Sequence, residues 1–291
     1  MFKKIPGNQG EVKAFLKKAK VRYGDFSAGG GHEQVWCGYG GKAIRAAYCL
    51  FPREWESGIL GESRWGLKWA AVPYPGDLAQ ETARLSELFK ILGAASVAAR
   101  VPMANHPFVQ VLEGCGFRYA GGLVVLKMAQ WENRPTTASQ GNAPRPVTRK
   151  DLIQLEKIAY SAFKEGRFYH EPGLKPGSAR KIYSIWAKNS VHYADVVRVA
   201  GKKNILGFVS LKKDPGIKRL WIDLIAVAPG AQGGGVGGLL VTESLGHIPR
   251  QKGWTFGVKT EPENLLALRF YLKNGFELES FQLDYVWRRE G

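Results

Sequence analysis

From residue 148 onward the apolar positions keep clear periods. Leu152, Leu155, Ile158, Ala159 and Ala162 recur at helical spacing, and Thr148 with Asp151 three residues later supplies a capping-box-like start, so an amphipathic helix is predicted there. A second helix is predicted near 178–189, with strands near 192–201, 204–213 and 218–228. A glycine-rich loop then opens a helix at about 235–251, followed by a strand at 254–260, a helix at 264–274 and a strand at 276–288. In the first half the pattern predicts helices at about 9–20, 78–92 and 105–114, and strands at 94–101 and 117–128. Residues 24–76, rich in glycine and aromatic side chains, carry too little periodicity to assign elements. The order is α/β. Between the halves, in residues 131–151, Pro, Thr, Asn, Gln and Gly replace any apolar period, as in an interdomain linker. The expected division is therefore 1–130, a linker at 131–147, and 148–291.

The two halves also share a unit. Asn105 to Gly116-Phe117 and Asn264 to Gly275-Phe276 have the same Asn-to-Gly spacing of eleven, each with a β-like run before it and a strand after it. The copies differ in one informative place, where Tyr271 of the second corresponds to Leu112 of the first. The first copy also has no counterpart to the glycine-rich loop, so chemistry is expected only in the second.

Length and composition add bounds. A chain of 291 residues, 45% of them apolar, makes one large domain or two ordinary ones. No window approaches 18 uninterrupted apolar residues, so no membrane span is expected, and the opening residues lack the apolar core of a secretory signal. Three scattered cysteines (Cys37, Cys49, Cys115) form neither a disulfide framework nor zinc spacing, which points to a reducing cytoplasm. The net charge of +17 is spread evenly: 17 Lys+Arg against 10 Asp+Glu in residues 1–130, and 25 against 15 in the remainder. An evenly basic surface favours polyanionic partners, nucleic acid or a ligand with several phosphates, without choosing between them.

The stretch from Leu224 to Leu240 runs from an apolar strand through glycines into a helix. Successive backbone N–H groups at a helix N-terminus stabilise a pyrophosphate without cationic side chains. The alternative is a flexible surface loop. Gly233-x-Gly235-x-x-Gly238 fits the dinucleotide fingerprint, but only 53 residues follow Gly238, too few for the rest of a doubly wound sheet, and Pro229 and Gln232 lengthen the turn.

The other pattern, Gln232-x-x-Gly235-x-Gly237 preceded by Val227 and Pro229, resembles the acyl-CoA loop of the GNAT N-acetyltransferase superfamily. Asn264-x-x-Ala267-x-x-Phe270-Tyr271-x-x-x-Gly275-Phe276 resembles that superfamily's second motif. Upstream, residues 162–170 with Tyr183 and Trp186, and more loosely Trp55-Glu56-Ser57-x-x-Leu60-Gly61, resemble bacterial TDP-fucosamine acetyltransferases, GNAT enzymes that acylate the amino group of a nucleotide-linked sugar. The resemblance implies a mixed-sheet acyl-CoA N-acyltransferase fold with an incomplete, inactive GNAT-like N-terminal domain. It further implies acetyl-CoA or another acyl-CoA as co-substrate, no metal, and an amine acceptor such as a TDP-linked amino sugar. Nucleic acid is not expected as a partner, and monomer and homodimer both stay open.

On this resemblance Gln232, Gly233, Gly234, Gly235, Val236, Gly237 and Gly238 would cradle the pyrophosphate. The strand ending at Val227 would pair with the pantetheine amides beside a splayed neighbour, with a backbone N–H near Ile225 to Val227 facing the thioester oxygen. Tyr271 would act as general acid, or be an ordinary core aromatic. Asp223 would take the amine proton, or be paired with a Lys or Arg, the pairing being favoured. His170 and His192 are the other groups that titrate near neutral pH. Asn264 would cap its helix and touch the cofactor. Arg167 would bind a phosphate or sugar hydroxyl, and Phe168, Tyr169, His170, Tyr183 and Trp186 would wall the acceptor site, with simple packing the alternative for the aromatics. Other acceptors would be a protein, peptide or antibiotic amine. Readings of another class are a non-catalytic acyl-CoA sensor and a basic nucleic-acid-binding module, although no motif of the latter kind is present.

Overall fold

The computed structural model describes residues 2–5, 14–15, 21–24, 33–40, 43–72, 78–128 and 143–289. The chain forms two compact units, Met1–Gly122 with His170–Gly173 and Phe281–Gly291, and Leu123–Tyr169 with Leu174–Ser280.

The first unit contains β1 (Phe2–Ile5), β2 (Val21–Gly24), β3 (Gln34–Gly40), β4 (Ala43–Pro52), α1 (Glu54–Leu60), β5 (Arg64–Val72), α2 (Leu78–Ile91), β6 (Ser96–Pro102) and α3 (His106–Gly114). Strands β1, β3, β4 and β5 pair antiparallel in that order, β6 joins β5 in parallel, and β2 also pairs with β5. Leu85, Leu88 and Phe89 recur at i, i+3 and i+4 on α2, and with Phe108, Val111 and Leu112 of α3 they bury against Tyr48, Leu50, Leu67 and Val97 of the sheet. Strands β3 and β4 were not assigned from sequence. Their buried positions include Cys37, Ala46, Ala47 and Cys49, small side chains that carry little periodic signal. The helix predicted over 9–20 lies outside the described residues apart from Ala14 and Phe15.

One ionic cluster is buried in this unit. Arg64, 1% exposed, pairs with Glu56 at 3.2 Å, Glu62 at 2.7 Å and Glu171 at 2.5 Å, while Arg288 holds Glu62 at 2.7 Å. A buried guanidinium is costly unless carboxylates surround it. Satisfying Arg64 therefore fixes the segment His170–Gly173 onto the first unit.

The second unit contains β8 (Arg145–Pro146), a 3₁₀ turn at Arg149–Asp151, α4 (Leu152–Ala162), most of α5 (Arg167–His170), α6 (Ser178–Tyr193), β9 (Val196–Ala200), β10 (Gly207–Asp214), β11 (Arg219–Val227), α7 (Val236–Leu245), β12 (Thr255–Thr260) and α8 (Leu265–Lys273). Its strands run β12, β11, β10, β9, β8, with only β11 and β12 parallel. Val209 and Leu211 of β10 pack with α7 and α8, whereas Phe208 packs with α4 and α6, so the helices cover opposite faces of the sheet.

Each unit completes its sheet with a strand from the other half of the sequence. β7 (Arg118–Met128) follows α3, yet its residues 124–128 pair antiparallel with β12. β13 (Glu277–Arg288) follows α8, yet its residues 282–288 pair antiparallel with β6. The boundary between units thus falls inside β7 and again inside β13, ahead of the 131–147 segment, of which residues 131–142 lie outside the described residues. Arg145 and Pro146, expected in the linker, instead pair with β9. The strand expected from 192 starts at Val196 because α6 continues to Tyr193, and the helix expected to reach 251 ends at Leu245, ahead of Gly246 and Pro249.

The repeat is visible in three dimensions. After α3 the Phe117 N–H donates to the Leu112 carbonyl at 3.0 Å across a left-handed Gly116, and after α8 the Phe276 N–H donates to the Tyr271 carbonyl at 3.1 Å across a left-handed Gly275.

The capping box at Thr148 and Asp151 is formed, and Arg145 adds two hydrogen bonds of 2.8 Å to the Asp151 carboxylate. The Arg145 guanidinium holds that carboxyl well below the usual range, against the opposing effect of burial. Asp151→Ala should destabilise the chain by about 1–2 kcal/mol at pH 7. Because the folded pKa is depressed, the contribution is complete above the unfolded value near pH 4 and is lost as pH falls toward the folded one. Urea denaturation should show parent and variant converging at acid pH.

Candidate active site

The site begins with an irregularity in β11. Ser210 faces Leu224 and Leu211 faces Ile222, which leaves Asp223 as an extra, bulged residue. The bulge changes which face each side chain meets: Leu220 and Ile222 join the α7/α8 core, Leu224 and Ala226 join the α4/α6 core, and Ile225 and Val227 pack back toward α7 and α8. Pairing of β11 with β12 ends at Ile222 opposite Val258, although β11 continues to Val227 and β12 to Thr260. Beyond that point the two parallel strands are not hydrogen-bonded to each other.

The loop after β11 makes a 3₁₀ turn at Pro229–Ala231, takes left-handed backbone at Gly233 and Gly235 (φ 80 for both), and enters α7. The Gln232 side-chain amide donates to the Val227 carbonyl at 3.3 Å and ties the loop to the strand end. Among the described residues the N–H groups of Gly235, Val236, Gly237 and Gly238 have no hydrogen-bond partner. They form the positive end of α7.

On α8, Asn264 caps the helix by accepting from the Ala267 N–H at 3.0 Å. Tyr271 is 5% exposed, with its ring edge-on to Phe270 and Phe276, in the same cluster that Ile225 and Val227 pack against. It is thus a core aromatic, but among the described residues its hydroxyl makes no hydrogen bond. Burial, with a smaller contribution from the Glu261 carboxylate, pushes the phenol above its ordinary range and keeps it protonated.

An aromatic lane lies on the other face. Tyr183 stacks on Phe163 (centroids 4.7 Å), Tyr169 (6.2 Å) and Trp186 (6.0 Å), and Phe168 meets it edge-on. The buried Arg167 guanidinium lies 4.1 Å from the Phe168 ring centroid. Arg167, Phe168 and Tyr183 are therefore brought together, whereas His170 is exposed and belongs to the first unit, and His192 is exposed on α6.

Asp223 departs from expectation. Among the described residues it is paired with no Lys or Arg; one carboxylate oxygen accepts from Tyr193 at 2.6 Å and from the Trp186 indole at 3.2 Å. The bulge turns the carboxylate toward α6, where these residues, two turns apart, share a face.

Glu261 was not singled out from sequence. A Cβ at Gly166, whose φ is +114, would come 2.2 Å from the Tyr183 hydroxyl and 2.7 Å from Glu261 Oε1, so both side chains converge on this glycine. Glu261 thus lies against the residues of the lane and also acts on Tyr271. β12 ends at Thr260, one residue before Glu261, so no strand period reaches it.

A mixed sheet with one parallel pair, a bulged strand that parts from its neighbour, and a helix N-terminus at the opening define the GNAT fold. Residues 153–276 match the acetyltransferase (GNAT) family, whose members use acyl-CoA, and the chain carries that acetyltransferase domain in its second half. It is 25% identical over 80% of its length to the spore coat polysaccharide biosynthesis protein SpsD of Bacillus subtilis, 81% of which is covered. It is 26% identical over 63% of its length to a dTDP-fucosamine acetyltransferase of Escherichia coli, 78% of which is covered. Among solved structures, a tandem GNAT protein from the clavulanic acid biosynthesis pathway matches 100% of this chain and 99% of its own with a TM-score of 0.63 at 11% identity. Among the described residues no cluster of His, Cys, Asp or Glu could hold a metal, and no helix is long and apolar enough to cross a membrane.

Gly166→Ala should destabilise the second unit by about 1–3 kcal/mol, because the methyl meets two side-chain oxygens and the backbone is left-handed. Gly230→Ala, whose Cβ would meet nothing within 4 Å, should be nearly neutral. Denaturant melts of the two variants make the comparison.

Proposed function

We propose that the protein transfers an acetyl or related acyl group from coenzyme A to the amino group of a nucleotide-linked deoxyamino sugar, by direct attack without an enzyme-bound intermediate. The observation that carries this reading is the end of β11–β12 pairing at Ile222 and Val258, beside four unpaired loop N–H groups. The N–H groups of Gly235, Val236, Gly237 and Gly238, with Gln232, Gly233 and Gly234 shaping the approach, bind the pyrophosphate. The free edge of β11 from Ile225 to Val227 accepts the pantetheine arm as an added strand and turns a backbone N–H to the thioester oxygen. Asn264, already the cap of α8, lines the arm.

Attack by the neutral amine forms the new C–N bond and places negative charge on the carbonyl oxygen. Collapse expels the coenzyme thiolate, which takes the Tyr271 proton. A buried phenol with a raised pKa donates reluctantly, but the same apolar surroundings raise the proton affinity of the thiolate. The amine proton leaves to a carboxylate directly or through water. Glu261, whose carboxylate converges with the Tyr183 hydroxyl on Gly166, is the candidate for it on the acceptor side. Arg167, Phe168 and Tyr183 hold the sugar end of the acceptor. The first unit, with Leu112 where the second has Tyr271, is an incomplete GNAT-like domain without catalytic function.

The acceptor class is supported by the two sugar-pathway relatives and by the net charge of +17, which suits two ligands rich in phosphate. Thiol release with acetyl-CoA should be fastest with a nucleotide-linked amino sugar in a panel that includes free amino sugars, peptides and aminoglycosides; preference for a peptide or antibiotic amine would replace this acceptor. Tyr271→Phe should reduce kcat by about 100-fold or more with little change in acetyl-CoA affinity. Glu261→Gln should lower kcat/KM for the acceptor and remove the acidic limb of its pH profile.

A further inference from the structure

We infer that the sheet face carrying Trp221, Lys212 and Lys259 is a subsite for a nucleoside diphosphate, and that it receives the nucleotide half of the acceptor. The inference rests on the acceptor class proposed above and names the residues that would recognise it. Lys212 of β10, Trp221 of β11, Gly257 of β12 and Lys127 of β7 are register partners in turn and form one row across four strands. Neighbours in such a row present side chains to the same face, about 5 Å apart from strand to strand.

Glycine in this row has a physical reason. A Cβ at Gly257 would come 2.7 Å from the six-membered ring of Trp221, so the indole lies down over the neighbouring strand. Cations surround it: Lys259 Nζ is 5.0 Å and the Arg219 guanidinium carbon 4.8 Å from the indole centroid, and Lys212 Nζ is 5.4 Å from the Tyr193 ring centroid. Glu279 binds Arg219 with both oxygens and lies 3.5 Å from Lys127. Lys127, Lys212, Arg219 and Lys259 outnumber the Glu279 and Asp223 carboxylates around the indole, and both Lys212 and Lys259 are exposed.

Its position links the patch to the chemistry. Lys259 directly follows Val258, and Asp223 directly follows Ile222, the last pair joining β11 to β12. The row therefore starts where the strands part. It continues through Asp223, Tyr193 and Trp186 into the aromatic lane. An indole offers a stacking platform for a base, and flanking ammonium groups offer charge to two phosphates, a combination that a free amino sugar or a neutral amine would leave unused.

Calorimetric titration of the full chain with thymidine diphosphate, with coenzyme A saturating so that the loop after β11 is filled, tests the assignment. Lys259→Gln and Lys212→Gln should each weaken binding about tenfold. Trp221→Leu should weaken both thymidine diphosphate and thymidine, and inorganic pyrophosphate should respond to the lysine variants alone. Coenzyme A affinity, measured separately, should be unchanged in all three. Binding of thymidine diphosphate that is insensitive to these variants would overturn the subsite while leaving the nucleotide-sugar reading intact. Failure of the parent chain to bind thymidine or uridine diphosphate would overturn both, and a parallel loss of coenzyme A affinity would reduce the effect to general electrostatics.

Discussion

The second unit depends on a single hydrogen-bonding constraint: β11 cannot stay in register with both of its neighbours. The bulge at Asp223 adds one residue against β10, and from there β11 no longer bonds to β12. Strand edges inside a sheet are normally satisfied, because an unpaired peptide group away from water is expensive. Leaving Ile225 to Val227 unpaired on that side makes sense if an extended ligand supplies the missing partner. The same bulge turns Ile225 and Val227 toward the cluster that contains Tyr271, and turns Asp223 toward Trp186 and Tyr193. One extra residue thus separates a face that is apolar and lined by α7 and α8 from a face that is aromatic and charged.

The two sides are built from different physics. The loop between β11 and α7 offers backbone groups, which tolerate many side chains and suit a ligand whose recognised part is an invariant diphosphate. The aromatic and charged face uses side chains whose positions are fixed by neighbours: Tyr183 by three stacked rings, Arg167 by Phe168, and Trp221 by the missing side chain at Gly257.

The sequence was informative wherever a period met a distinctive chemical group. The helix from Leu152, the strands around β10 and β11, the glycine-rich entry to α7 and the capped α8 were all legible, because apolar periods and capping residues agreed. Strands β3 and β4 were not, since small Ala and Cys side chains at Cys37, Ala46, Ala47 and Cys49 interrupt the larger Val35, Tyr48 and Leu50 and blur the period. Glu261 was missed because nothing local distinguishes it from Glu263; only the approach of Gly166 and Tyr183 from elsewhere in the chain does. The partners of Asp223 were misjudged for a related reason. A bulge is a mismatch between two strands and cannot be read from either one alone. The assignment of Arg145 and Pro146 to a linker failed because two residues are too few to show a period of two.

The exchange of β7 and β13 has a consequence for biosynthesis. The first unit emerges from the ribosome early, yet the strand that lies beside β6 is made only after α8, when the second unit is already nearly translated. Until then the edge of β6 is open, and β7 has no β12 to join. The nascent chain must therefore keep two sheet edges from sticking to other molecules for most of its synthesis, and the final strand acts as the latch that ends this exposure.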